Sequence, residues 1–88
     1  MSRLDLFAVT QAMQKIEDEN SDYKSNLTWL KLKKIRCELE LEIAIQRYEY
    51  LTKSYCGDKF EKYYKEVAGC EKIIHRNTEE LNNLREEI

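Results

Sequence analysis

Apolar residues recur along most of this chain at alternating steps of three and four. That spacing holds one face of an α-helix against a neighbouring helix. In the first segment it falls on Leu6, Val9, Met13 and Ile16, with Phe7 beside the stripe. The pattern predicts a helix over residues 3–19, capped by Ser2, with Asp5 at the capping-box position. The segment "DENSDYKSN" follows. Its Asp, Asn and Ser side chains compete with helical backbone hydrogen bonds and favour caps and turns, so a break is expected over residues 20–26, with Asn26 or Ser25 capping a new helix. The apolar phase argues the other way. It runs on without a slip through Asn20, Tyr23, Leu27 and Leu30, as it would in one continuous helix from residue 3 to residue 55.

From residue 27 to residue 55 two stripes run together. One is Leu27, Leu30, Lys34, Cys37, Leu41, Ala44, Tyr48, Leu51 and Tyr55; the other is Leu32, Ile35, Leu39, Ile43 and Tyr50. At about 100° per residue they lie on nearly opposite sides of a helix, which therefore needs a neighbour on each side. A third helix is predicted over residues 58–88, with the stripe Phe60, Tyr63, Val67, Cys70, Ile74, Asn77, Leu81, Leu84 and Ile88. Gly69 falls inside it, at a cost of about 1 kcal/mol against alanine, and suits a close backbone approach.

Between Tyr55 and Phe60 the period fails. Gly57 suits the left-handed position that ends a helix, and Asp58 is a good cap for the next. The predicted fold is therefore all-α: an antiparallel helical hairpin with its tip at Gly57 and Asp58, plus the N-terminal helix, in a single domain over residues 1–88. Coiled-coil-like packing then makes either a three-helix layer or an intermolecular bundle. Folding at the tip pairs Leu51 with Phe60, Tyr48 with Tyr63, Ala44 with Val67, Leu41 with Cys70, Cys37 with Ile74, Leu30 with Leu81 and Leu27 with Leu84. The polar positions Lys34 and Asn77 then fall opposite each other, a layer suited to setting register. Lysines of "KLKKIR", residues 31–36, come across from Glu79 and Glu80, while Lys62 and Lys65 come near Glu49. On the other side of the middle helix, antiparallel pairing sets Ile16 near Leu32, Met13 near Ile35, Val9 near Leu39 and Leu6 near Ile43. Those eight residues are the expected protein interface, within the chain if residues 20–26 break the helix and between chains if they do not.

Composition narrows the function. The chain has 88 residues, no proline, two glycines, 36% charged residues and a formal net charge of −2. Long helices and coiled coils have this make-up, and such a charge offers no general attraction to nucleic acid or anionic membrane. The acidic neighbours of residues 31–36 make them a solvated flank. No run approaches the roughly 20 apolar residues of a membrane span. The opening residues are too quickly acidic for a secretory signal. Three widely spaced cysteines argue for reduced thiols and an intracellular, cytoplasmic or nuclear location.

Candidate chemistry is thin. Cys56, Cys70 and His75 lack the close ligand pair with which zinc sites begin, so no metal or other cofactor is expected. There is no phosphate-binding glycine loop and no nucleophile with a base at a telling position. Arg3, Arg36, Arg47, Arg76 and Arg85 fall off the core stripes, so they do not converge on a small-molecule substrate as an all-helical enzyme would need. The expectation is a non-enzymatic coiled-coil assembly or scaffold subunit that binds protein, either itself or helical partner subunits. The alternative is a monomeric three-helix adaptor that binds a peptide or helix through the tyrosine-rich end formed by Tyr48, Tyr50, Tyr55, Phe60, Tyr63 and Tyr64. Trp29 suits either a seal at the opposite end or an anchor for a partner.

Overall fold

The structure, a computed structural model, describes residues 5–53 and 60–87. Three α-helices account for most of them: α1 (Leu6–Glu19), α2 (Leu27–Lys53) and α3 (Phe60–Glu87). A single 3₁₀ turn, Tyr23–Ser25, lies between α1 and α2. The polar segment therefore breaks the helix, and composition outweighs the unbroken apolar phase. Gly57 and Asp58, the expected hairpin tip, lie outside the described residues, as do Tyr55, Cys56 and Ser2.

Caps set the boundaries. α1 begins later than residue 3 because Asp5 is its N-cap, not a member of its first turn. Asp5 is extended (φ −103°, ψ 174°) and its carboxylate accepts the Ala8 N–H at 2.8 Å. A short carboxylate does this best from just outside the helix. α1 ends where Asn20 turns extended and donates its backbone N–H to the Ile16 carbonyl at 2.9 Å. The 3₁₀ turn is closed by the Ser25 hydroxyl on the Asp22 carboxylate at 3.3 Å. Of the two caps expected for α2, Asn26 is the one used: its side-chain oxygen accepts the Trp29 N–H at 3.1 Å, and its carbonyl accepts the first helical bond, from Leu30, at 3.0 Å.

α2 and α3 run antiparallel, as three ion pairs between them establish. Lys33 meets Glu80, Glu40 meets Arg76 and Arg47 meets Glu66, so rising numbers on α2 match falling numbers on α3. The seam buries Leu30, Cys37 and Ala44 of α2 against Val67, Cys70 and Leu81 of α3. Thiols and a methyl at its middle let the two helices lie close. The end of the seam differs from expectation. Leu27 is 53% exposed, and Leu84 is buried instead in the cluster that holds Trp29. The first residue of a capped helix projects past the end of the partner, and the side chain two positions on takes its place. Lys33 reaches Glu80 as the charge pattern predicts, but Lys65 pairs with Glu61 of its own helix, not with Glu49.

α1 packs back along α2. Val9 and Met13 are 0% and 1% exposed and belong to one cluster with Trp29, Leu30, Cys37, Leu81 and Leu84. That cluster draws on all three helices, and Leu6 shares a hollow with Ala44 of α2 and Cys70 of α3. α1 thus lies towards the groove between the two long helices, not on the far side of α2. The three helices pack against one another at this end, whereas the other end of the hairpin runs on without α1. Among the described residues, no helix is long and apolar enough to cross a membrane.

Candidate functional site

The second stripe of α2 is where sequence and structure bear most directly on function. Leu32, Ile35 and Leu39 are half-buried and pack against the core, as does Ile16 of α1. They pack against the cluster to which α1 contributes Val9 and Met13. α1 has 14 residues and α2 has 27, so at 1.5 Å per residue α1 spans about half the length of α2. Among the described residues, Leu6, the first of α1, lines a hollow with Ile43 and Ala44 of α2. Ile43 is left 55% exposed, and Tyr50, two turns along the same face, 67%.

Among the described residues, the groove between α2 and α3 is open at the level of Leu6. It forms a hollow of about 270 Å³ walled by Leu6, Ile43, Ala44, Cys70 and Ile73. Arg47 and Arg76 stand at its rim with Glu40. Their ion pairs are long: Arg47 to Glu66 at 3.9 Å and Arg76 to Glu40 at 4.0 Å, with both guanidinium groups largely exposed. Ile73, on the α3 wall, is 37% exposed. The hollow is an apolar slot with charged edges.

Asn77 and Lys34, expected to face each other as a polar layer, are joined by no hydrogen bond among the described residues. Asn77 is 3% exposed and Lys34 is half-buried. The Asn77 amide donates to the Ile73 carbonyl of its own helix at 3.0 Å, so it satisfies itself within α3 instead of bonding to lysine. A side-chain amide four residues after a free lone pair finds that carbonyl without help from another element.

Trp29 seals the end of the bundle. It is 8% exposed, its ring lies edge-on to Tyr23 at 5.2 Å, and the Lys33 ammonium sits 5.2 Å from its centroid. Among the described residues no group accepts from its indole nitrogen. Sequence reasoning left this residue between two roles because helical spacing alone does not say which side chain turns inward at a helix start.

The remaining candidates do not converge. His75 faces Glu79 on the surface of α3 at 3.1 Å, and among the described residues no three His, Cys, Asp or Glu side chains are grouped to hold a metal. Cys37 and Cys70 are free, buried thiols. Burial pushes the Cys37 thiol above its usual 9.0, with the Glu80 and Glu40 carboxylates adding to the shift and Arg36 and Lys33 opposing it. Such a thiol is less ionised, and so less nucleophilic, than a free one. At the hairpin end, Tyr50 and Tyr64 are exposed while Tyr48 and Tyr63 are half-buried, with the Tyr63 and Tyr64 rings in an edge-on pair at 5.6 Å. No protein-family model matches the chain, and no curated protein or solved structure is significantly similar to it.

Proposed function

We propose that this chain is a non-enzymatic assembly or scaffold subunit acting by helix–helix association, either as a homo-oligomer or as an obligate member of a larger complex inside the cell, in cytoplasm or nucleus. The observation that carries the reading is the end of α2's second stripe: the apolar face continues past its intramolecular cover, with Ile43 55% and Tyr50 67% exposed. Apolar surface gains by leaving water, at roughly 25 cal/mol per Å², and exposed apolar patches on small helical chains are met by partner helices. The charged edges of the hollow select orientation more than they add affinity.

A second reading is favoured by Tyr50 and Tyr64, which are exposed near the hairpin end: a monomeric three-helix adaptor that binds a peptide or helix there. Tyrosine supplies large, rigid contact area with a polar tip. Sedimentation at low micromolar concentration separates the two. Association predicts a dimer or larger species, or a chain that stays folded only with its partner subunit. A monomer that unfolds cooperatively and alone makes the adaptor the better account. Nucleic acid is not an expected partner in either reading, and binding to DNA or RNA at low salt that vanishes on adding about 200 mM salt would overturn that exclusion.

A further inference from the structure

The geometry points to a second copy of this chain as the occupant of the groove that α1 leaves open, in a two-fold dimer with Ile43 and Ile73 at its centre; this deepens the association reading and rests on it. Two features set the place. The first is the hollow itself, apolar on its floor and open at the end of α1. The second is Gly69, one turn from Ile73 and two from Arg76 on the same face of α3. A Cβ built at Gly69 meets nothing within 4 Å, so packing within the chain does not require glycine there. A glycine in mid-helix lowers helix stability, and its absent side chain leaves room for another backbone to come close. Gly69 lies next to Cys70, which forms the floor of the hollow. The close approach therefore belongs to whatever enters the groove.

The charges at the edge say what that is. Arg47 and Arg76 are each matched with one carboxylate, Glu66 and Glu40, at 3.9 and 4.0 Å. The edge thus carries two charges of each sign. An acidic helix entering the groove would face Glu40 and Glu66, and a basic one would face Arg47 and Arg76. Glu40 and Arg47 lie along α2 and Arg76 and Glu66 along α3, so the signs alternate around the hollow, and an alternating pattern of this kind faces its own opposite once turned by a two-fold axis. Each long intramolecular pair then has a closer partner on the other copy. An isologous contact of this kind closes at two chains and does not propagate into filaments.

The test is sedimentation equilibrium of the full chain from about 1 to 100 μM, with circular dichroism as the check on folding. The wild-type chain sediments as a dimer. Ile43→Glu places a carboxylate in the centre twice per dimer and weakens dimerisation about a hundredfold or more. Gly69→Leu blocks the backbone approach and weakens it similarly, while the melting temperature of the monomer does not fall, because a Cβ at that position meets nothing within its own chain and leucine favours the helix over glycine. A dimer insensitive to both substitutions overturns the groove as the interface and leaves association standing. A wild-type chain that is monomeric but binds a different protein through this groove overturns the second copy alone. A monomer with no partner overturns both this inference and the association reading.

Discussion

At the scale of single residues, Asn77 and Cys37 behave differently from their apolar neighbours. Asn77 is buried on the seam and, among the described residues, its amide donates to the carbonyl of Ile73 in its own helix. It gives the seam no bond across helices, yet it withholds apolar contact from α2. Asn77→Leu is therefore expected to stabilise the fold by about 1–2 kcal/mol in urea unfolding. Cys37 is buried, with a thiol shifted upward by burial and by Glu80 and Glu40. In the native chain at neutral pH, alkylation at Cys37, read by peptide mass spectrometry, should be far slower than in urea. The shift also has a consequence for stability. A thiol whose folded pKa lies above its unfolded value contributes stability that is intact below about pH 9 and lost as pH rises through the folded value. The urea midpoint of the wild-type chain should fall more steeply above pH 9 than that of Cys37→Ala.

At the scale of elements, each boundary follows from one side chain. Asn26 accepts the Trp29 N–H and so fixes where α2 starts. It thereby decides that Trp29 turns inward and Leu27 outward. Asn26→Ala should cost about 1 kcal/mol, and the loss should be visible in tryptophan fluorescence as well as in the denaturation midpoint. Asp5 does the same for α1, and by starting the helix at Leu6 it decides how far along α2 the cover extends. The apolar period showed that α1 exists and which face it buries. It did not show where α1 begins, because the two candidate caps, Ser2 and Asp5, satisfy the same motif from opposite ends.

At the scale of the whole molecule, the core lies where all three helices meet. Leu84 is 1% exposed and packs in the same cluster as Val9 and Met13. Leu84→Ala should cost roughly 2–5 kcal/mol, enough to leave a chain of this size largely unfolded at 37 °C. Val67→Ala, on the α2–α3 seam outside that cluster, removes less volume and should cost less. Removing residues 1–20 bares Leu32, Ile35 and Leu39, which pack against the core in the intact chain. The shortened chain should bind a hydrophobic dye and sediment as larger, concentration-dependent species. A monomeric, dye-silent product would mean that α1 is not the cover that this part of α2 requires.

The spacing of apolar residues was enough to show that the chain is all-α and that α2 carries two stripes, because burial of a helix face depends only on which residues share that face; the short gap at Gly57 and Asp58, where the period fails, was what implied an antiparallel α3. Composition by itself located the break before α2, because Asn, Asp and Ser bond locally to the backbone. Three things were decided only in the tertiary structure. Trp29, not Leu27, fills the end of the core; Asn77 bonds within its own helix; and Ile43, which belongs to the same stripe as Leu39, stays largely in water. The first and the last depend on where one helix ends relative to another. That is a question of length and level in space, and a periodic pattern, repeating identically at every turn, carries no mark of it.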